Sequence, residues 1–387
     1  MLFAVLVISA CNEPDEGIDG LVINEIVASN SRVNTDEDGD YPDWIELYNY
    51  GENAVNLHRY GLSDNVNRPF KWVFPDTTID PGEFMLVWAS NKEGRKPGDE
   101  MHTGFAISAA GEEVVLTEPD GKTVDIVSQV QIQTDYSYGR KPDGTGSWIF
   151  FSQPTPHAPN VSESFNRYLD PVRFSHDAGF HTGLFELELT HSDRDVIIYY
   201  TLDGSEPDEQ SSVYNGPIPI FDRSPEPYRL SGIPTNNLSD DSRVWKEPLE
   251  NIKKATVLRV KAGKPGSHPA LHTRTFFVFP GGNLTFSLPV FSIATDSVNF
   301  FSNESGIYVP GTQSELNYDQ RGIEWEREAS LEFFETDGSA GFAQNAGLRI
   351  HGGWSRGVPQ KSLRVYARNE YGSNSIDYAL FPDEPYA

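Results

Sequence analysis

The chain has 387 residues, with 57 acidic against 30 basic side chains and a formal net charge of −27 at pH 7. Such a balance favours a soluble surface and opposes non-specific binding to nucleic acid or anionic lipid, so no nucleic-acid partner is expected. The only cysteine is Cys11, which excludes an intrachain disulfide. The length suggests about three domains, and the abundance of glycine, proline and aromatics points to short strands and turns.

Residues 1–20 read as a leader and tether. Met1 to Ala10 is nearly all apolar but too short to span a bilayer. It ends Ile8-Ser9-Ala10-Cys11, which resembles a bacterial lipobox and implies lipidation of Cys11. The basic region that normally opens such a leader is missing, and a clipped ordinary signal peptide is the alternative. The acidic stretch Asn12 to Gly20 carries almost no apolar side chain and reads as a disordered tether. Its acids after a lipidated cysteine resemble the surface-export signals of some Gram-negative phyla. The expected location is extracytoplasmic, with a lipid anchor to the cell envelope at the outer membrane or cell surface.

Residues 21–160 read as a β-sandwich. Strands are expected at Leu21–Val27, Asp43–Asn49, Phe84–Ala89, Glu113–Thr117 and Val124–Gln131, with turns at Asp80-Pro-Gly82 and Pro119 to Lys122. Ile23-Asn-Glu-Ile26, Asp43-Trp-Ile-Glu-Leu-Tyr-Asn49, Leu62-Ser-Asp64, Phe105-Ala-Ile-Ser108 and Ser137-Tyr-Gly-Arg140 resemble the lamin-tail domain, an immunoglobulin-like sandwich. That resemblance implies a binding or spacing role without catalysis. Asp36, Asp38 and Asp40 alternate in an acidic loop and are candidate Ca²⁺ ligands. The loop is not an EF-hand, because its glycine falls between the second and third acids and no bidentate glutamate follows. A solvated acidic loop is the competing reading. Gln153 to Asn160 holds three prolines and reads as a semi-rigid connector.

Residues 171–280 read as a second small sandwich, with strands at Gly183–Thr190, Val196–Thr201, Thr256–Ala262 and His272–Val278. Tyr199 to Pro207, Tyr214-Asn-Gly-Pro217 and Leu258-Arg-Val-Lys-Ala262 resemble the C-terminal module of chitobiase/β-hexosaminidase proteins, an accessory domain outside the glycosidase site. Asp203, Glu206 and Asp208 are therefore expected to form turns. Carbohydrate attachment through this module rests on the family analogy alone. Arg223 to Lys254, rich in Pro, Asn, Ser and Asp, reads as a long surface insertion.

From residue 284 to 387 the pattern changes. Leu288–Ala294 reads as a strand, Asp296 as the cap of a short helix, and Ala329–Glu335 as a strand. Then Leu348 and Ile350 alternate with Arg349 and His351, a turn holds Gly352, Gly353 and Gly357, and Leu363 and Val365 alternate with Arg364 and Tyr366. This is strand, glycine-rich turn, strand, a geometry that leaves N–H groups uncovered for anions. His351 is either a proton shuttle or a structural histidine near the turn. Lys361 falls on the Leu363 face.

Gly347-Leu-Arg-Ile-His-Gly-Gly353, Ser355-Arg356, Lys361-Ser-Leu-Arg364 and Phe381-Pro-Asp383 resemble the CotH family, the spore-coat-protein-H-like secreted kinases. Phe300-Phe301, Gly306-Ile-Tyr-Val309 and Trp325 to Phe334 extend the resemblance over roughly the last quarter of the chain. The family implies an atypical protein kinase using ATP with Mg²⁺ or another divalent metal, on Ser/Thr side chains of extracytoplasmic proteins. Lys361, Gly352, Gly353, Arg349 and Arg356 are the candidates for holding the nucleotide phosphates, with Arg364 a helper. The catalytic residues are unassigned. Only Glu370, Asp377, Asp383 and Glu384 follow Lys361 as acids, and none forms a defensible metal pair. The expectation is a mainly β chain: two immunoglobulin-like sandwiches, then the N-terminal part of an α+β kinase-like domain that stops short. The alternative is a non-catalytic surface scaffold or adhesin that only binds a partner.

Overall fold

The structure, a computed structural model, describes residues 20–92, 100–239, 243–280, 286–312 and 314–380. Cys11, with its leader, and Phe381-Pro-Asp383 and Glu384 lie outside the described residues. The chain divides into two compact units, Met1–Phe165 and Asn166–Ala387. Among the described residues no helix is long and apolar enough to cross a membrane.

The first unit is a β-sandwich. Its larger sheet runs in the order Ser164–Phe165, Ser147–Phe151, Ser137–Lys141, Leu21–Val27, Asp43–Asn49, Phe84–Ala89. The smaller runs Trp72–Val73, Gly61–Ser63, Val114–Thr117, Thr123–Val127. Ile23, Leu47, Leu62, Leu116 and Val127 are fully buried in it. Leu21–Val27, Asp43–Asn49 and Phe84–Ala89 form at their expected bounds, since each is dominated by apolar and aromatic strand formers between turn residues. The central strand Ser137–Lys141 has no apolar alternation and no counterpart among the expected strands. It is held by fit: a Cβ on Gly139 would lie 2.8 Å from Asn160 Nδ2 and 3.0 Å from Asn24 O.

Two glutamates are buried in this unit. A register shift after Ile23 places Glu25 directly opposite Glu46 on the neighbouring strand, and both are fully inaccessible. Glu25 accepts from Ser137 Oγ and from Thr155 N and Oγ1; Glu46 accepts from His157 N. The proline-rich connector is thereby pinned to the sheet by two carboxyl groups.

The second unit begins with another sandwich. Its five-stranded sheet has the order Gly179–His181, Ala270–Val278, Thr256–Gly263, Ile197–Thr201, Ser212–Val213. Leu187, Ile220, Leu258, Val260 and Phe276 are fully buried in its core. The single strand expected over Gly183–Thr190 is two: Phe185–Leu187 pairs with Ile218–Ile220, while Leu189–Thr190 pairs with Arg173–Phe174. The alternation holds across the break, with Leu187 and Leu189 inside and Leu184 outside. Asp203 and Asp208 accept hydrogen bonds from residues of their own turns, Ser205 for the first, Gln210 and Ser211 for the second.

After it comes a four-stranded antiparallel sheet, ordered Val290–Ala294, Arg327–Phe334, Ala340–His351, Ser362–Tyr366. It rests against the sandwich through Thr273 Oγ1 to Ser330 Oγ at 3.1 Å and Thr275 with Ser292 at 2.7 Å. The one α-helix among the described residues is Ser297–Phe301, with Asp296 at the N-cap position but without a side-chain capping bond. The described part of this region is therefore β in character, and a helical kinase part does not appear in it. The glycine-rich turn contains a short 3₁₀ helix, Trp354–Gly357.

Candidate functional site

Strand periodicity builds the site. Arg349 lies directly opposite Arg364, His351 opposite Ser362 and Gly347 opposite Tyr366. Cross-strand partners share a face, as do residues two apart, so Arg349, His351, Arg364 and Tyr366 emerge on one side of the hairpin. Leu348 and Ile350 turn to the other side and are buried. The loop Gln320–Gly322 and the turn residues Gly352 and Arg356 complete a cleft of about 290 Å³. Among the described residues its lining holds four arginines and a histidine, and no carboxylate.

Each arginine is held differently. Arg356 is buried and spends its guanidinium on backbone carbonyls: Tyr318 O at 2.8 Å, Gln320 O at 2.9 Å, Ile350 O at 2.6 Å and Gly352 O at 2.8 Å. It pins the turn to the loop; among the described residues no carboxylate forms an ion pair with it, although the Asp319 charge lies near enough to act on it. Burial, with Arg321 nearby, lowers its pKa from the usual arginine value. Arg349 and Arg368 meet on Glu326, whose carboxylate also accepts from Tyr371 Oη at 3.0 Å. Burial alone would raise the Glu326 pKa; the bonds from Arg368, Arg349 and Tyr371 outweigh it and hold the carboxyl below its ordinary value. Both guanidiniums also stack on Tyr366, at 4.4 and 5.1 Å from its centroid. Arg364 donates to His351 Nε2 at 2.6 Å, which makes His351 an acceptor tied to the turn's first strand. Arg321 is exposed at the rim.

Like charges set directly opposite in a sheet are destabilising. Glu326 offsets the charge of Arg349, while Arg364 lines the cleft and, among the described residues, its hydrogen-bond partner is the His351 ring nitrogen. An anion seated here would find a preorganised fork of N–H donors, the arrangement arginine supplies to phosphates and carboxylates.

The structure brings together three of the residues expected to hold phosphates: Arg349, Arg356 and Gly352 line the cleft, with the helper Arg364. Lys361 and Gly353 do not. Lys361 lies on the Leu363 face, away from the arginines, for the same reason of period two. Its ammonium is buried, donates to Val358 O at 2.9 Å and sits 4.1 Å over the Tyr318 ring. Burial pushes its pKa down to about 8. Glu326 falls in the sequence within the Trp325 to Phe334 stretch, and nothing in its spacing signals that it gathers two arginines. Arg321 and Tyr366 were legible only as members of the same loop and strand.

In the first unit, Asp36, Asp38 and Asp40 do converge, with oxygens within 4.8 Å of one another. The position a cation would take between them is filled by the Lys92 ammonium, at 2.5 Å from Asp36, 3.1 Å from Asp38 and 2.6 Å from Asp40. Burial opposes that charge, but the carboxylates of Asp36, Asp40 and Asp38 together outweigh it and raise the lysine pKa well above its ordinary value.

The folds and the site define a modular β-protein: immunoglobulin-like modules suited to binding or scaffolding, followed by a sheet with a cationic cleft. Family models agree for the modules. The Lamin Tail Domain family matches residues 15–131, and the Chitobiase/beta-hexosaminidase C-terminal domain family matches residues 177–225. The chain carries both domains. Neither match reaches the sheet that bears the cleft, and a comparison with curated proteins finds no match.

Proposed function

We propose that this chain is a surface-binding scaffold, anchored to the envelope through a lipidated Cys11, that presents a phosphate-recognising cleft on its C-terminal sheet. The observation that supports this reading is the cleft itself, in which Arg349 lies opposite Arg364 and buried Arg356 shares the lining, with no carboxylate among the described lining residues. At about 290 Å³ it sits at the small end of ligand sites and suits a phosphate chain rather than a whole nucleotide.

The CotH resemblance extends the reading to a protein kinase acting on Ser/Thr of extracytoplasmic proteins. Its support is that the resembling residues Arg349, Gly352 and Arg356 share one cleft. The lining fits the phosphates of ATP. It does not fit Mg²⁺, which takes oxygen ligands, since it offers no carboxylate and the nearby Glu326 is committed to Arg349, Arg368 and Tyr371. Phosphoryl transfer also requires a metal site and a residue to position the nucleophile, so recognition rather than turnover is the function proposed for the described residues.

Titration calorimetry of the full chain with ATP, with and without Mg²⁺, and with pyrophosphate tests this. Binding that Arg364→Ala weakens about tenfold or more is the expected result, a charged hydrogen bond being worth about 1.5–3 kcal/mol. Absence of heat with both probes, or binding indifferent to Arg364→Ala and Arg349→Ala, would refute the phosphate reading.

A further inference from the structure

The insertion Arg223–Lys254, which the sequence presents as a surface excursion of the second sandwich, returns to the glycine-rich turn. Thr235 and Asn236 are buried. Thr235 Oγ1 donates to Pro359 O at 2.7 Å. Asn236 Nδ2 donates to Gly357 O at 2.7 Å and to Arg243 O at 2.7 Å, and its Oδ1 accepts from Trp245 N at 2.9 Å. Both amide hydrogens and the amide oxygen are thus engaged. Asn237 Oδ1 accepts from Tyr318 Oη at 3.3 Å, and Arg243 stacks 4.9 Å from the Trp354 ring centre. These contacts grip the turn through residues that do not line the cleft, Trp354, Gly357 and Pro359.

The same turn and loop are what Arg356 joins. Its guanidinium holds the carbonyls of Tyr318, Gln320, Ile350 and Gly352, and Gln320 and Gly352 line the cleft. Two short routes therefore run from the insertion to the cleft: Asn236 to Gly357 beside Arg356, and Asn237 through Tyr318 to Arg356. A loose surface insertion needs no buried asparagine with every hydrogen bond made, because burying polar groups is tolerated only where their partners are fixed.

We propose that Asn236 is a positioning residue for the cleft: the insertion of the second sandwich clamps the Trp354–Gly357 turn, so that this module forms part of the anion site rather than a spacer before it. The inference rests on the phosphate reading. Asn236 touches no ligand; it holds Gly357, and through it the turn on which Arg356 sits.

Coupling between two places must be reciprocal. The test uses the full chain, pyrophosphate as the probe, calorimetry for affinity and hydrogen exchange for the insertion. Asn236→Ala is expected to weaken pyrophosphate binding about tenfold, within the usual range of such couplings. Tyr318→Phe, which keeps the ring over Lys361 and removes only the donor to Asn237, is expected to weaken it roughly fivefold, the low end of such couplings. In the wild type, pyrophosphate is expected to slow exchange at residues 235–238, which it does not contact; a merely structural asparagine would give no such response. If Asn236→Ala does not fold, Tyr318→Phe and the wild-type exchange decide. Wild-type affinity in both variants, with exchange at 235–238 unmoved by bound pyrophosphate, overturns the clamp and leaves the cleft reading standing. No pyrophosphate binding by the wild type overturns both.

Discussion

The paired glutamates of the first unit make its stability fall as pH rises. In the folded chain Glu25 is pushed up to about 7 and Glu46 to about 9, in both cases chiefly by burial. The neighbouring charges of Glu25 and Asp143 add to the shift of Glu46, while bonds from Ser137 and Thr155 restrain that of Glu25. An ordinary glutamate releases its proton near 4.5. Above that pH the unfolded chain gives up a proton that the folded chain keeps, so the folded state binds more protons and stability declines with pH. The decline runs from the ordinary value up to the folded value, about 9 for Glu46. Within that window one such group costs about 1.4 kcal/mol per pH unit. From pH 5 to pH 8 the loss from Glu46 is about 4 kcal/mol; the two carboxyls titrate as a pair, so their separate losses do not add.

Glu46→Gln isolates the effect. The amide oxygen still accepts from His157 N, and the side chain can no longer ionise. A unit of this size shifts its melting midpoint by about 2–4 °C per kcal/mol, so the wild-type transition is expected to drop roughly 10 °C between pH 5 and pH 8. The variant should show a flatter profile, above all between pH 7 and pH 8, exceeding the wild type by several degrees at pH 8; the decline that remains below pH 7 belongs to Glu25 and Asp43, both pushed up to about 7 by burial. Scanning calorimetry of the full chain, resolving the transitions of the two units, is the assay. A first-unit midpoint constant from pH 5 to pH 8, or a Glu46→Gln profile parallel to the wild type, would refute the reasoning.

Lys92→Ala removes the ammonium that Asp36, Asp38 and Asp40 share; the variant is expected to melt lower in chelator and to recover with millimolar Ca²⁺, whereas wild-type melting stays indifferent to Ca²⁺. Glu326→Gln should act in opposite directions on two readouts, lowering thermal stability by about 2 kcal/mol as the carboxylate shared by Arg349 and Arg368 is lost, while tightening pyrophosphate binding in calorimetry because the cleft gains net positive charge. Lys361→Met is expected to leave pyrophosphate affinity within about twofold of the wild type, since the lysine occupies the other face of its strand. Because burial pushes the Lys361 pKa down to about 8 from 10.5, the folded chain releases that proton first; wild-type stability therefore gains as pH rises from 8 to 10.5, and Lys361→Met should abolish that gain in alkaline denaturation curves.

Much of the architecture was legible in the sequence. Strands such as Asp43–Asn49 and Ile197–Thr201 announce themselves because alternation and turn residues agree locally. Ser137–Lys141 does not, since its place at the centre of a sheet depends on Gly139 passing close to Asn24 and Asn160, residues far away in the chain. The alternation of the hairpin was also legible, but not which side chains it would unite: the observed register sets Arg349 opposite Arg364, and Lys361, a phosphate candidate from the sequence, lies on the other face with its ammonium on Val358 O. What a local pattern cannot convey is which distant group completes a charge. Glu326 lies 23 residues from Arg349 and 42 from Arg368, Lys92 lies 56 residues from Asp36, and Asn236 lies 121 from Gly357. All three decide the chemistry of a cluster whose other members the sequence had already suggested.

The cleft's sign runs against the rest of the chain, and the two are compatible for a reason of range. A net charge of −27 repels anions at a distance. At physiological ionic strength, however, charges are screened beyond about 8 Å, so a phosphate inside the cleft responds to the nearest guanidiniums and hardly to the total. Arg349 and Arg364 are paired across strands within that range, and buried Arg356 sits beneath them, where screening by solvent is weakest. Binding there must then be short-range and geometric: it depends on donors being held in place more than on a broad field drawing the ligand in. Geometry of that kind is what the contacts around the turn supply, from Arg356, which joins Gln320 to Gly352, to Asn236 holding Gly357. An acidic surface around such a site also disfavours long polyanions such as nucleic acid, whose remaining charges would lie outside the cleft, and leaves compact phosphates as the class of ligand the arrangement selects.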